Sequence, residues 1–271
     1  MSGETPPLVL GGRFRLEREV GRGGMGAVFE ALDLARNERV AVKLLDPAHQ
    51  RDAAARACFT HEAAIAQRLT SVHAPHVLFV AEDDGDLDTP AFFVMEYLFG
   101  TTLERMIDTT GSIAPRRAVS LAIEVLDVLG ELHRHGFVHR DVKPGNVFVS
   151  EGGNAKLLDF GLSTAIGSAP GDAGTLAFMA PEQAEGAALD ERTDVYALSA
   201  TLHRALTGSL VFAPDPIGRF YDALANTPPP RANVDQALDA IVLRGLAKKP
   251  KDRFASASEL RDALASWLER Q

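Results

Sequence analysis

The hydrophobic pattern changes near residues 98–100, and this change constrains the fold more than any other feature. Before it, apolar and polar residues alternate in short stretches typical of strands, and 51–69 has the alanine content of a helix. The predicted strands are 14–20, 26–33, 38–45, 77–83 and 91–97. After it, apolar residues recur at helical spacing. The helices indicated there are 115–136, 193–207 and one that begins after the capping sequence at 256–259.

This pattern predicts an α+β chain of two parts joined near 96–101. The first part is a small sheet with one helix, and the second is larger and mainly helical.

Composition excludes several classes of protein. The chain has 271 residues and a formal net charge of −9, which argues against a general nucleic-acid binder because such proteins need a basic surface. The single cysteine, Cys58, allows no internal disulfide and no zinc cluster, and its alanine-rich surroundings favour a small buried side chain. The N-terminus has no basic start, and no run of apolar residues is long enough for a membrane segment. We therefore expect a soluble, cytoplasmic chain.

A glycine-rich sequence, GRGGMGAV at residues 21–28, joins two of the predicted strands through Gly21, Gly23 and Gly26. Residues without a Cβ let backbone N–H groups approach phosphate oxygens closely. Ordinary glycine-rich hairpins show the same pattern. A dinucleotide-binding motif would lead from a strand into a helix, so the position between two strands favours a flap over a triphosphate.

A lysine follows in an otherwise apolar strand, at Lys43 in VAVK. One explanation is an edge-strand lysine whose ammonium reaches water. The other is a buried lysine that binds the α- and β-phosphates of a nucleotide. Such a lysine needs a carboxylate partner, because an unpaired buried charge costs about 3–5 kcal/mol. Glu62, in the middle of the next predicted helix, is the candidate partner.

The sequence VHRDVKPGNVFV, residues 138–149, places polar residues in a turn between two apolar runs. Asp141 can accept the proton of an attacking hydroxyl, Lys143 can neutralise charge on a transferring phosphoryl group, and Asn146 can hold a metal ion. Asp159, in LDFG after the next apolar stretch, can bind Mg²⁺. Each residue alone fits a turn or capping role, but their ordered series indicates phosphoryl transfer.

The whole series resembles the eukaryotic-like (Hanks-type) Ser/Thr protein kinases, the bacterial branch in particular, over residues 14–268. The matching sequences, in family order, are GRGGMGAV, VAVK, Glu62, MEY, HRDVKPGN, DFG, GT, APE, TDVYAL and DRF. The resemblance implies a bilobal protein-kinase fold. Its parts would be an N-terminal tail at 1–13, a small antiparallel-sheet N-lobe with one helix at 14–97, and a larger, mainly helical C-lobe at 98–271.

The resemblance also implies roles for individual residues. The implied catalytic residues are Asp141, Lys143, Lys43 and Glu62, and the implied metal ligands are Asn146 and Asp159. The implied nucleotide-binding residues are Gly21, Gly23, Gly26, Val28, Ala41, Lys43, Met95, Glu96, Leu98 and Phe148. Met95 would lie behind the adenine, and the backbone of Glu96 and Leu98 would hydrogen-bond to it.

Four further residues of the larger lobe receive roles from the resemblance. Asp194 would hold the catalytic loop through its backbone, and Glu182 would pair with Arg253. Thr175, together with Lys143, indicates Ser or Thr rather than Tyr as the acceptor.

The implied activity is transfer of the γ-phosphate of ATP to Ser or Thr hydroxyls of a protein substrate, with autophosphorylation and a transient homodimer allowed. The implied metal is Mg²⁺, with Mn²⁺ as a substitute. One alternative is a pseudokinase-type regulatory module, which would lack Lys43, Asp141, Asn146 or Asp159. A second is a small-molecule phosphotransferase, which would lack the APE and GT sequences. All of these features are present.

The segment between Gly161 and Gly174 departs from the family pattern because it is short and has no cluster of threonines. We expect residues 163–174, which are rich in Gly, Ser and Ala, to form a mobile surface loop. The candidates for phosphorylation in it are Ser163, Thr164 and Ser168. We therefore hypothesise that activity depends only weakly on phosphorylation of this loop.

Overall fold

Internal contacts divide the chain into two units. The computed structural model describes residues 8–81, 90–168 and 175–271. The N-terminal unit consists of residues 1–70 and 75–99, and the C-terminal unit of residues 71–74 and 100–271. The first is a sheet with one helix and the second is mainly helical, so the α+β prediction is confirmed.

The strands of the N-terminal unit form one antiparallel sheet. They are β1 (Val9–Leu10), β2 (Phe14–Arg22), β3 (Gly26–Asp33), β4 (Glu38–Leu45), β5 (Val77–Val80) and β6 (Phe92–Glu96). Their order in the sheet is β1-β2-β3-β4-β6-β5. β3 and β4 have the predicted bounds. β1 lies in the stretch assigned to a tail, where Leu10 is buried and pairs with Phe14.

Helix α1 (Ala53–Arg68) covers part of this sheet. It begins after Asp52, whose carboxylate accepts hydrogen bonds from the first backbone N–H groups of the helix. Its residues Phe59 and Ala63 pack with Leu45 and Phe93 of the sheet. Cys58 is exposed, so the prediction of a buried cysteine is wrong. The alanine-rich sequence did not reveal which side of the helix faces the sheet.

The two faces of the sheet carry different residues. One face bears an apolar cluster formed by Leu10, Phe14, Ala31, Val40, Val42, Phe92 and Val94. Side chains alternate along a strand, and the register pairs Val28 with Lys43 and Ala41 with Met95. These four residues therefore share the opposite face, on which α1 packs.

The C-terminal unit is built around helices. They are α2 (Leu103–Thr110), α3 (Pro115–Arg134), α4 (Pro181–Ala184), α5 (Glu191–Thr207), α6 (Ile217–Asn226), α7 (Gln236–Gly245) and α8 (Ala257–Glu269). The strands are β7 (Gly100–Thr102), β8 (Phe137–Val138), β9 (Val147–Ser150), β10 (Ala155–Leu157) and β11 (Thr164–Ala165). In the part of the chain that the structure describes, no helix is long and apolar enough to cross a membrane.

The strands of this unit form two small antiparallel sheets. β9 lies between β10 and β7 in one antiparallel sheet, and β8 pairs with β11. β11 falls at the start of the segment predicted to be a mobile surface loop, so that part of the segment is a strand instead. Residues 169–174 of that segment lie outside the described residues.

Helices α5 and α7 approach closely at Gly245, which makes this glycine a test of the packing. A Cβ on Gly245 would lie 1.9 Å from Oγ of Ser199, which is itself buried. We expect Gly245→Ala to lower the free energy of unfolding by about 1–3 kcal/mol, because the helices must move apart. Urea denaturation measures this change.

Gly218, on α6, provides the matched control. A Cβ there meets no described atom within 4 Å. Gly218→Ala should leave stability unchanged or raise it by about 0.4–1 kcal/mol, because alanine reduces the freedom of the unfolded chain. Equal destabilisation by the two substitutions would contradict this account of the α5–α7 contact.

An ion pair at the open end of the β2–β3 hairpin makes the folding stability depend on pH. The Arg13 guanidinium donates to both carboxylate oxygens of Asp33, at 2.8 and 2.6 Å. This hydrogen bonding lowers the pKa of the Asp33 carboxyl from 3.8 to about 2. The folded-state pKa is the lower one, so the stabilisation is complete above about pH 5 and is lost as the pH falls towards 2.

Asp33→Asn should therefore lower the free energy of unfolding more at pH 7 than at pH 3. Denaturation of both proteins at the two pH values measures the difference. The same loss at both pH values would show that the carboxylate charge does not contribute.

Candidate active site

The glycine-rich turn between β2 and β3 is closed by a hydrogen bond from Gly23 N–H to Gly26 O, 2.8 Å long. A Cβ on Gly26 would lie 2.2 Å from the Leu44 carbonyl oxygen, so close approach of β4 requires glycine there. Gly21 and Gly23 differ from Gly26: neither has a positive φ, and a Cβ would meet no described atom closer than 4.0 Å. Packing within the unit therefore does not explain glycine at these two positions.

Lys43 and Glu62 form an ion pair on the α1 side of the sheet. Lys43 Nζ on β4 lies 2.5 Å from Glu62 Oε1 on α1, and the two side chains are only 14% and 4% exposed. β4 is an interior strand, so the explanation of Lys43 as an edge-strand residue is wrong. The expected pairing is present, and the role of Lys43 in holding phosphates stays a prediction.

The residues predicted to surround adenine are placed in both units. Ala41 is buried and lies opposite Met95 in the register of β4 and β6. Glu96 is anchored at the end of β6, where its N–H donates to the His76 carbonyl at 2.9 Å and its carboxylate accepts from the His76 N–H at 2.8 Å.

Val28 and Leu98 are half-buried in the N-terminal unit. Phe148 belongs to the C-terminal unit, on β9, opposite Thr102 and Lys156.

Asp141 lies at the centre of a polar cluster in the loop between β8 and β9, and it is 7% exposed. Its Oδ2 accepts hydrogen bonds from Lys143 Nζ at 2.7 Å and from Asn146 Nδ2 at 3.0 Å. Its Oδ1 accepts a longer bond, 3.3 Å, from the backbone N–H of Thr175. Lys143 Nζ also donates to Thr175 Oγ1 at 2.6 Å. The structure thus brings together the three predicted residues of this loop.

The amide of Asn146 has its orientation fixed by Asp141. Its Nδ2 donates to the Asp141 carbonyl oxygen at 2.8 Å as well as to the carboxylate. Because both partners are acceptors, the NH₂ group must face them, and Oδ1 is the atom suited to a metal ion. The N–H of Leu158, next to Asp159, donates to the Asn146 carbonyl at 2.8 Å. Asp159 itself has a positive φ of 64°, a conformation uncommon outside glycine.

Asp194 fixes the backbone that precedes Asp141. This fully buried carboxylate accepts hydrogen bonds from the N–H groups of His139 and Arg140, at 2.8 and 2.9 Å, and from His133 Nε2 at 2.8 Å. Burial raises the pKa of Asp194, but these hydrogen bonds and nearby charges outweigh it, so the net pKa is lowered. Arg140 has a φ of 72°, and this pair of bonds holds it in that unfavourable conformation.

A buried ion pair lies next to a residue that contacts the loop between β8 and β9. Arg253 donates two hydrogen bonds to the carboxylate of Glu182, each 2.7 Å long, and their side chains are 0% and 7% exposed. The predicted pairing is confirmed. Next to Glu182, Gln183 donates to the Arg140 carbonyl at 3.3 Å.

Sequence reasoning did not identify His133 or Gln183. His133 occupies the apolar face of α3, and Gln183 follows directly on the APE sequence. Only the structure shows that they contact Asp194 and Arg140.

The candidates for phosphorylation differ in exposure. Ser163 is 6% exposed, whereas Thr164 on β11 and Ser168 are half-buried. Arg140 donates to the Leu162 carbonyl at 3.3 Å, and burial lowers the pKa of its guanidinium. Gly174, before Thr175, lies outside the described residues.

A lysine–glutamate pair beside a glycine-rich turn and an Asp–Lys–Asn cluster on a loop are the parts of a phosphoryl-transfer enzyme. Residues 14–264 match the protein kinase domain family. The chain therefore belongs to the protein kinase family, whose members use ATP and a divalent metal ion.

Curated relatives from mycobacteria agree with this assignment. The chain is 37% identical over 273 residues to serine/threonine-protein kinase PknB of Mycolicibacterium smegmatis, covering 95% of this chain and 43% of that protein. It is 37% identical over 262 residues to serine/threonine-protein kinase PknH of Mycobacterium tuberculosis, covering 92% of this chain and 41% of that protein. The chain thus spans less than half the length of these relatives. The resemblance to the bacterial branch is confirmed.

Proposed function

We propose that this chain is an ATP-dependent protein serine/threonine kinase with a catalytic domain at residues 14–268. The observation that carries the proposal is the Asp141 carboxylate, which Lys143, Asn146 and the Thr175 backbone hold in one orientation. A base fixed in this way suits abstraction of a hydroxyl proton. The names of the mycobacterial relatives support Ser and Thr as the acceptors.

Asp141 would act as the base in transfer. Its Oδ2 already accepts two short hydrogen bonds, from Lys143 and Asn146, whereas Oδ1 accepts the longer one from the Thr175 N–H, so we assign the proton of the acceptor hydroxyl to Oδ1. The acceptor oxygen forms a bond to the γ-phosphorus of ATP, the bond from that phosphorus to the β,γ-bridging oxygen breaks, and ADP leaves. Lys143 would stabilise negative charge on the transferring group.

The N-terminal unit would bind the nucleotide. Lys43, oriented by Glu62, would bind the α- and β-phosphates, and backbone N–H groups of the turn would approach them where Gly21 and Gly23 have no Cβ. Close approach of a phosphate would explain why glycine occupies these two positions, which packing within the unit does not explain. The residues of this unit proposed to enclose or hydrogen-bond adenine are Val28, Ala41, Met95, Glu96 and Leu98, and the role of Phe148 stays a prediction.

Asn146 and Asp159 would hold Mg²⁺, with Mn²⁺ as a substitute. The residues fit this role, because Asn146 has Oδ1 directed away from Asp141 and Asp159 supplies carboxylate oxygens, which are the ligands that Mg²⁺ prefers. A bound metal ion would neutralise charge on the phosphates.

The alternatives are less well supported. A pseudokinase-type module would not need the Lys43–Glu62 and Asp141–Lys143 contacts, which are both present. A small-molecule phosphotransferase would not need Thr175, whose hydroxyl accepts from Lys143. Autophosphorylation and a transient homodimer stay predictions.

Labelled ATP tests the proposal directly. We expect the protein, incubated with [γ-³²P]ATP, Mg²⁺ and a generic basic protein, to place label on Ser and Thr of that protein. Acid hydrolysis and separation of the phosphoamino acids identify the acceptor. Nucleotide binding without any transfer would instead indicate a regulatory module, and label only on phosphotyrosine would contradict the assigned acceptor.

A further inference from the structure

A buried carboxylate on β3 has no part in the proposed chemistry. Glu30 is 8% exposed and is flanked by two arginines. Its Oε2 lies 2.6 Å from an Arg18 guanidinium nitrogen, and its Oε1 lies 3.0 Å from Arg39 Nε. Two guanidinium groups, each bound to a different oxygen, fix the orientation of this carboxylate.

Tyr97 is bound to the same carboxylate. Its hydroxyl donates to Glu30 Oε2 at 3.2 Å and accepts from Arg18 at 3.3 Å. The Arg39 guanidinium lies 5.5 Å from the centre of the Tyr97 ring, and the Phe99 ring lies 5.0 Å from it on edge. Both ends of the Tyr97 side chain are therefore held. We call Arg18, Glu30, Arg39, Tyr97 and Phe99 the Glu30 cluster.

The Glu30 cluster borders residues that we propose for adenine. Glu30 lies opposite Ala41 in the register of β3 and β4, and Ala41 lies opposite Met95. Opposed residues share a face of the sheet, so the carboxylate is on the face that carries Ala41 and Met95.

Tyr97 also lies in the segment whose backbone would bind adenine. It stands between Glu96, the last residue of β6, and Leu98. Residues 97–99 belong to no strand or helix in the described structure. The hydrogen bonds between Glu96 and His76 fix the start of this segment. The side-chain contacts of Tyr97 and Phe99 hold the remainder within the N-terminal unit.

We infer that Glu30 is a positioning residue for ATP: by holding Tyr97 it sets the backbone of Glu96 and Leu98 in the orientation that adenine requires. The inference rests on the proposed function, which assigns adenine to these two residues. Glu30 touches none of the reacting atoms in this proposal. Its loss should therefore weaken ATP binding and leave the rate of transfer at saturating ATP unchanged.

Two substitutions remove polar groups of the Glu30 cluster with little change in side-chain volume. Glu30→Gln removes the charge that binds both arginines, and Tyr97→Phe removes only the hydroxyl. We expect KM for ATP, and Kd for a non-hydrolysable ATP analogue, to rise by about 3- to 10-fold in Glu30→Gln and by about 2- to 5-fold in Tyr97→Phe. The values of kcat and of KM for the protein substrate should stay within about twofold.

The double variant tests whether the two residues act together. If Glu30 acts through Tyr97, the combined loss of ATP affinity should be smaller than the product of the two single losses. Independent losses that multiply would overturn the inference that Tyr97 transmits the effect of Glu30.

Glu17→Gln is the matched control, because it removes the same charge from an exposed pair with Arg15 on the same sheet. A comparable loss of ATP affinity in this control would overturn the inference in favour of a general charge effect. So would an unchanged affinity in both Glu30→Gln and Tyr97→Phe.

Analogue affinity also separates this inference from the proposed function. If the wild type transfers no phosphate but Glu30→Gln binds the analogue more weakly, the inference stands and the proposed function fails. If the wild type does not bind the analogue, the inference fails as well.

Discussion

Asp141→Asn is expected to lower the rate of phosphoryl transfer by about 10²- to 10⁴-fold, because an amide cannot accept the proton of the acceptor hydroxyl. The substitution keeps the shape of the side chain and leaves an oxygen that can accept from Lys143 and Asn146. The fold should therefore persist. Single-turnover transfer to a protein substrate measures the chemical step, and calorimetry with an ATP analogue measures binding separately.

Asp262→Asn serves as the control for loss of a carboxylate in the same unit. Asp262 lies on α8 with its side chain 75% exposed. This variant should transfer phosphate at the wild-type rate. If Asp141→Asn retained a rate within about tenfold of the wild type, the assignment of Asp141 as the base would be wrong.

Arg253→Met is expected to lower the free energy of unfolding by about 3–5 kcal/mol, the typical cost of leaving a buried charge without its partner. Glu182 would keep one hydrogen bond, from Thr193 Oγ1 at 3.0 Å. The substitution also removes donors to the carbonyls of Ala247, Arg192 and Lys248. Since folded domains are stable by only about 5–15 kcal/mol, a large part of the stability would be lost. Urea denaturation measures the change.

Arg261→Met gives the matched comparison at an exposed ion pair. Arg261 on α8 binds Asp127 on α3 at 2.6 Å, with side chains 41% and 37% exposed. Its loss should cost less than about 1 kcal/mol, because water and salt screen such pairs. The double variant Glu182→Gln with Arg253→Met should be more stable than Arg253→Met alone, since no unpaired charge remains. Equal costs for Arg253→Met and Arg261→Met would contradict the importance assigned to burial.

Local pattern predicted much of the secondary structure. β3 and β4 have the predicted bounds, and α8 begins after Ser256, whose hydroxyl accepts from the Glu259 N–H as the capping sequence indicated. Helices α2, α6 and α7 were not predicted, because each has only two to three turns, so the helical period repeats too few times to stand out in the sequence. Composition did not predict that Cys58 is exposed, because an alanine-rich helix gives little sign of which side is buried.

The sequence by itself determined the family, because the order and spacing of its motifs are properties of the chain. It also named the pairs Lys43–Glu62 and Glu182–Arg253, which the structure contains. Only the tertiary structure decided that His133 binds Asp194, and that Tyr97 binds Glu30 from 67 residues away. The physical reason is that periodicity and capping report interactions within a few residues. Contacts between distant residues depend on how the elements pack and on which side chains they bring within hydrogen-bonding distance.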